Sequence, residues 1–191
     1  MHTDEQAKNA LLNLLRKKSV FRGDFTLASG AKSTYYIDCR LTTLDPEGAW
    51  LVGQCVHGVI RREIAASGKA VQAVGGLTMG ADPIALAVGM YSHFVKDALP
   101  LQVFAVRKAA KAHGQTKLIE GNFKQGDSVV VIDDTVTTGG STITAINSVQ
   151  NEGGKVAFVV ALVDREEGGR KNIEQLGLKV FTVFTKTELL G

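Results

Sequence analysis

Asp133 and Asp134 stand side by side between an apolar run, Val129-Val130-Val131-Ile132, and a small-residue run, Thr135-Val136-Thr137-Thr138-Gly139-Gly140-Ser141. Two adjacent carboxylates can accept hydrogen bonds from sugar hydroxyls and can sit beside a divalent ion. The β-branched run predicts a buried strand over 128–132. The small residues predict a turn that opens a helix over 141–152. Backbone N–H groups in such a turn form a concave anion site, and the helix dipole adds to it. Glycines at 139 and 140 let the backbone come close to a phosphate. Ligands of open α/β sheets bind beyond the carboxyl ends of the strands. The combination suits a phosphorylated sugar. The plainer alternative is an ordinary strand–turn–helix joint with solvated aspartates. The P-loop pattern and the Gly-x-Gly-x-x-Gly dinucleotide fingerprint are both absent.

A second group of residues is cationic. Arg107, Lys108, Lys111, His113 and Lys117 fall in one stretch with no acid before Glu120. Its apolar residues are only alanines, so it carries no core anchor. A solvated helical face is one reading, since Arg, Lys and Ala favour helix. The other is a lid that closes cations onto a diphosphate. The stretch follows a strand end, on the side of the Asp133-Asp134 turn. Arg165 follows another apolar run and could grip a carboxylate bidentately. Its alternative is a surface ion pair with Glu166 or Glu167. Tyr35 and Tyr36 could flank a flat ring, or could simply pack a short strand. Lys32 is a further candidate contact.

These side chains need a scaffold, and the chain predicts one. Alternating signals place strands near 73–76, 101–106, 128–132, 155–163 and 179–184. Helices are expected over 45–66, with Asp45 as cap and Pro46 at the first position, over 82–92 and over 141–152. Alternation from residue 70 onward argues for an α/β fold, a mostly parallel sheet flanked by helices. The first 40 residues depart from it. They predict an amphipathic helix with Ala7, Ala10, Leu11, Leu14 and Leu15 on one face, then short strands at 25–27 and 34–37. We expect one domain over 1–191, with about 1–40 as a small hood over the sheet edge and 41–191 as the core.

Bulk properties bound the function without choosing it. A chain of 191 residues, 45% hydrophobic and 21% charged, suits a single globular domain. The formal charge of +3 is no nucleic-acid footprint, and no nucleic-acid partner is expected. No apolar run approaches the roughly 18 residues of a membrane span, and the N-terminus has no signal-peptide pattern. Cys39 and Cys55 have no metal spacing and read as reduced thiols of a cytoplasmic protein.

The run over 129–142 resembles the PRPP-binding motif of type I phosphoribosyltransferases, whose fold pairs such a sheet with an N-terminal hood. Four further stretches narrow the likeness to orotate phosphoribosyltransferases. Arg107-Lys108-x-x-Lys111-x-His113-Gly114 resembles that family's flexible catalytic loop. Phe25-Thr26-Leu27-Ala28-Ser29-Gly30, continuing through Ser33 to Tyr36, resembles its N-terminal signature. Val163-Asp164-Arg165 resembles its Asp-Arg element, and the stretch over 75–84 its Gly-rich diphosphate loop. The likeness covers about 20–185. Two positions depart: Ala28 and Met79 stand where some members carry lysine.

The resemblance implies transfer of a 5-phosphoribosyl group from PRPP to orotate, giving orotidine 5′-monophosphate and diphosphate in pyrimidine (UMP) biosynthesis. It implies Mg²⁺ as cofactor, bridging the diphosphate and ribose hydroxyls, with no protein side chain assigned as a metal ligand. Arg107, Lys108, Lys111 and His113 would clamp the diphosphate, and Lys111, His113, Asp133 and Asp134 would be catalytic. Thr135, Val136, Thr137, Thr138, Gly139, Gly140 and Ser141 would hold PRPP. Thr137 and Arg165 would reach orotate. The family is typically homodimeric, with the loop crossing to the partner's site. Two rivals remain at this level: a phosphoribosyltransferase for another base, and a non-catalytic PRPP sensor that binds nucleic acid.

Overall fold

The computed structural model describes residues 4–26, 30, 32–95, 100–109 and 118–191. The N-terminal helix α1 (Asp4–Lys18) leads into a separate two-stranded antiparallel ribbon, β1 (Val20–Thr26) and β2 (Lys32–Ile37). The short helix α2 (Arg40–Thr43) connects the ribbon to the long helix α3 (Pro46–Ser67). Asp45 caps α3, accepting from Gly48 N at 3.0 Å, and Pro46 opens it, as its fixed φ allows. Gly68, at φ 68°, closes α3 in the left-handed conformation.

A six-stranded sheet follows. Its strands are β3 (Ala73–Leu77), β4 (Gln102–Val106), β5 (Ile119–Gly121), β6 (Ser128–Val136), β7 (Lys155–Asp164) and β8 (Val180–Thr185). In space the order is β5-β4-β3-β6-β7-β8. Every pairing is parallel except β4 with β5. The helices between the strands are α4 (Ala81–Phe94), α5 (Gly140–Asn151) and α6 (Gly169–Glu174), and α7 (Lys186–Leu190) follows β8. The order changes direction beside β3 and β6, which makes their carboxyl ends the natural crevice.

Strand alternation divides the core in two. Val130 and Ile132 of β6 join Val52, Ile60, Ile84 and Val88 of α3 and α4. Val129 and Val131 join Ala145, Ile146 and Val149 of α5. Both faces of β6 are therefore dry, and its four residues before the acids are at most 1% exposed. Ala7, Leu11 and Leu15 of α1 belong to the α3–α4 cluster, so this helix packs with the main core. Ile37 of β2 also belongs to that cluster, with Val20 and Tyr35 packed against it, so the ribbon meets the core along one face.

Beyond the short helices α2, α6 and α7, which were not expected, three strands differ from the expected elements. Strand β6 runs on to Val136, because its pairing with β7 continues through Asp133 opposite Ala161 and Val136 opposite Asp164. The acid pair therefore lies within a paired strand. Strand β1 begins at Val20, earlier than expected. The short β5, antiparallel at the edge, has too little periodicity to have been predicted. Among the described residues, no helix is long and apolar enough to cross a membrane.

Candidate active site

The two carboxylates stay close enough to act on each other, but each has its own surroundings. Asp133 turns towards α5, where Thr142 Oγ1 donates to its Oδ2 at 2.5 Å. Asp134 turns towards the loop before α4. A Cβ at Gly80 would lie 2.3 Å from Asp134 Oδ1, so a larger residue there would push the carboxylate aside. Asp133 is 8% exposed. Burial pushes the pKa of both acids above the usual carboxylate range, and mutual repulsion raises Asp133 further. The Thr142 hydroxyl offsets part of that for Asp133. Such a pair holds its full charge most easily when a cation or several hydroxyl donors arrive.

The turn after β6 is built to receive an anion. Gly139 adopts φ 84° as the cap of α5, which leaves the first N–H groups of the helix without a side-chain cap. The turn is braced from behind. Gly169 N donates to Thr137 O at 2.8 Å, Asn172 Nδ2 to Thr138 O at 3.0 Å, and Arg165 N to Val136 O at 2.9 Å.

A cleft of about 320 Å³ opens over this edge. Asp133, Asp134, Thr135, Thr137 and Ser141 form one wall. Lys108, Arg165 and Tyr36 face it from other elements, and Leu77, Thr78 and Gly80 supply the loop before α4. Val136 is buried behind the wall, and Thr138, Gly139 and Gly140 form the turn itself. A smaller cavity of about 230 Å³ between α1, α3 and β8 contains none of the motif residues.

Arg165 is 7% exposed. Its Nη2 lies 3.0 Å from Glu167 Oε1, and its guanidinium lies 5.2 Å from the Tyr35 ring centroid. The ion pair weighed for it thus forms, with Glu167, while Glu166 turns away to accept from Thr187 N and Oγ1 at 3.0 and 2.6 Å. Arg165 Nε is buried without a partner. An unsatisfied donor of this kind is costly, and an anionic ligand would relieve it.

The tyrosines divide. Tyr36 lines the cleft and packs near Phe25, with ring centroids 5.8 Å apart. Tyr35, on the other face of β2, serves as the platform under Arg165. Lys32 also lies outside the cleft, with its Nζ 2.8 Å from Thr26 Oγ1 in a hollow shared with Glu167. Arg107 pairs with Glu120 at 3.4 Å beside the cleft, in a depression that Lys108 also lines. Lys111 and His113 lie outside the described residues.

Sequence reasoning missed Asp38, Cys39 and Arg40, which line the cleft just after β2. The Asp-x-Arg spacing was the available signal. The Cys39 thiol is buried, accepts from Thr135 Oγ1 at 3.4 Å, and is pushed up to about 12 chiefly by that burial. Neither Cys39 nor Cys55 is in a disulfide.

As to metal, the described residues contain no group of three or more His, Cys, Asp or Glu that would form a cage. The acid pair offers hard oxygen donors at the cleft wall, a set suited to a hydrated divalent ion that takes its remaining ligands from a substrate.

No family model matches the chain. Comparison with individual proteins is decisive instead. The chain is 40% identical over 186 residues to orotate phosphoribosyltransferase of Aquifex aeolicus, covering 96% of this chain and 97% of that one. It is 41% identical over 179 residues to the Mycobacterium tuberculosis enzyme of the same name, covering 94% of each. A crystal structure of Mycobacterium tuberculosis orotate phosphoribosyltransferase with Fe(III) dicitrate superposes with TM-score 0.80 at 40% identity, covering 96% of this chain and 98% of that one. The structure of that protein with PRPP gives TM-score 0.76 at 37% identity, covering 97% and 99%. Likeness of this extent, over a fold whose acid pair and anion turn meet in one cleft, places the chain in the orotate phosphoribosyltransferase family.

Proposed function

We propose that the cleft over β6 transfers the 5-phosphoribosyl group of PRPP to N1 of orotate, giving orotidine 5′-monophosphate and diphosphate in UMP biosynthesis. One observation carries the reading. Asp133, Asp134, the open N-terminus of α5 and Arg165 all face one cleft, from adjacent parallel strands and the turns that follow them. They match a ribose, a phosphate and a carboxylate in sequence along the sheet edge.

The 5-phosphate sits in the turn over 137–141, on the N–H groups of α5 and the hydroxyls of Thr137 and Ser141. Asp133 and Asp134 accept from the ribose 2- and 3-hydroxyls. As the bond from C1 to the diphosphate stretches, positive charge grows on the ribose and negative charge on the diphosphate. Two carboxylates beside the ribose favour the first change, and cations around the diphosphate favour the second. Asp133 and Asp134 would face Mg²⁺ with hard oxygen donors, and the ion would supply charge neutralisation for the departing diphosphate. Lys108, with Arg107, Lys111 and His113 of the same segment, completes the diphosphate clamp. Orotate lies against Tyr36, with its carboxylate on Arg165 and a polar edge near Thr137.

We read the protein as a homodimer whose lid segment, beyond Lys108, reaches the partner's cleft. Leu86, Met90 and Phe94 form one exposed stripe along α4, and Trp50 of α3 packs on Phe94 at 5.2 Å between ring centroids. An apolar stripe of this kind suits a subunit interface. Mixing a Lys111→Ala variant with an Asp133→Asn variant tests the crossing, since hybrid dimers should regain activity that neither parent has. For the reaction itself, PRPP and Mg²⁺ are incubated with orotate, uracil or adenine. Diphosphate release with orotate alone is expected, whereas equal turnover of adenine would reject the base assignment.

A further inference from the structure

We propose that Arg40, held in place by Asp38, binds the departing diphosphate of PRPP. The inference rests on the phosphoribosyl-transfer reading of the cleft and adds a residue that lies outside the anion turn, the acid pair and the 107–117 segment.

Three anionic groups enter the cleft in that reaction: the 5-phosphate, the diphosphate and the orotate carboxylate. The turn after β6 takes the first with backbone N–H groups. Arg165 takes the third. The described cations lining the cleft are Arg40, Lys108 and Arg165, so Arg40 and Lys108 remain for the diphosphate. The loop before α4 brings no cation of its own, being Thr78, Met79 and Gly80.

Arg40 is also prepared for a ligand. Its Nε and Nη2 donate to Asp38 Oδ1 and Oδ2, each at 2.8 Å, and its backbone N donates to Asp38 Oδ1 at 3.1 Å. The fork fixes the guanidinium plane where α2 begins. Two of the five N–H groups are thereby used, and both on Nη1 remain. The Asp38 side chain is 17% exposed and that of Arg40 is 45% exposed, so the anchor is sheltered and the donor is open. Arg40 lies close enough to Asp134 for each charge to act on the other. An exposed ion pair between residues two apart contributes little to stability. Its better use is to hold a planar donor at low entropic cost opposite the acid that positions the ribose.

The test is calorimetric binding to wild type and to Arg40→Gln, with Mg²⁺ present, using PRPP, inorganic diphosphate and ribose 5-phosphate as separate probes. A charged hydrogen bond contributes roughly 1.5–3 kcal/mol, or about 10- to 150-fold in affinity. Arg40→Gln should weaken PRPP and diphosphate by that order, leave ribose 5-phosphate within about twofold, and leave the orotate KM unchanged. Arg40→Lys should recover part of the loss. Unchanged diphosphate affinity in Arg40→Gln overturns the assignment. So does an equal loss for ribose 5-phosphate, because the residue would then act on the site in general. If wild type binds none of the three probes, the reading of the cleft fails first. If wild type binds them and the variant binds equally well, the role of Arg40 alone fails.

Discussion

The turn after β6 and the β1–β2 ribbon face the same cleft on different foundations. The turn extends a strand that is dry on both faces, and three hydrogen bonds from the β7–α6 segment brace it from behind. The ribbon is a separate two-stranded sheet, with Phe21 and Tyr36 about 40% exposed. A two-stranded sheet alone is marginal in water. This one is held by Ile37, Val20 and Tyr35 on the core cluster, by the buried bond of Ser19 Oγ with Thr42 Oγ1 at 2.7 Å, by Arg22 to Leu190 O, and by the stack of Arg165 on Tyr35. The sugar-phosphate side is therefore set by a strand buried on both faces, while the base side is set by a ribbon that meets the core along one face only. Changes on the first side should remove chemistry without moving the fold. Changes on the second should shift orotate affinity in graded steps.

The largest effect should come from the stiff side. Asp133→Asn with Asp134→Asn should lower kcat/KM for PRPP by about 100-fold or more through lost ribose positioning. Both acids have pKa values raised on folding, so the folded state binds protons that the unfolded chain releases. The pair's contribution to stability thus falls as pH rises through that window, and at neutral pH it is destabilising. The double variant should melt no lower than wild type at pH 7, and higher if the relief is fully realised. Scanning calorimetry beside the kinetics separates the two claims: a folded variant of normal activity contradicts the site, and an early melt contradicts the electrostatics.

On the base side, Arg165→Ala should raise the orotate KM about 10- to 150-fold, from the roughly 1.5–3 kcal/mol of a charged hydrogen bond, and leave the PRPP KM nearly unchanged. Arg165→Lys should recover only part, because a point charge lacks the planar fork. Steady-state kinetics with each substrate varied in turn checks both.

Acidification should act on the stiff side first. As pH falls through the raised pKa values of the acid pair, protonation removes acceptors for the ribose hydroxyls. kcat/KM for PRPP should drop on an acid limb well above the ordinary aspartate value of about 3.9. Single Asn variants should flatten or move that limb. A limb unaffected by either variant would assign it elsewhere.

The smallest effect probes how the base side is held. Thr187 of α7 donates twice to Glu166, which adopts φ 57° directly after Arg165. Thr187→Val removes the hydroxyl donor and should raise the orotate KM about two- to fivefold. Thr187→Ser should restore it. A matching rise in the PRPP KM would show that α7 braces both sides.

Much of the stiff side was legible in the residues. Four β-branched residues, two acids and a Thr/Gly turn state a local structure, and local structure is what periodicity and turn chemistry encode. The extension of β6 past the acids was not legible, because it depends on pairing with β7, a partner distant in sequence. That extension is what buries Asp133. The base side was harder for the same reason. Tyr35 and Tyr36 are alike as letters, and only the face of β2 that packs on Arg165 separates their roles. Arg40 was passed over because an Asp-x-Arg pair reads as surface charge until α2 turns it into the cleft. Arg107 and Lys32 were singled out for charge alone, and each meets a polar partner outside the main cleft.

The most direct test of the two-sided cleft is calorimetry on Asp133→Asn/Asp134→Asn and on Arg165→Ala, titrating PRPP with Mg²⁺ and then orotate into the PRPP-loaded protein. The account predicts a double dissociation. The acid-pair variant loses PRPP affinity, and Arg165→Ala keeps PRPP affinity and loses orotate by at least about 10-fold. Parallel loss of both ligands in both folded variants, or retention of PRPP without the acid pair, would contradict it.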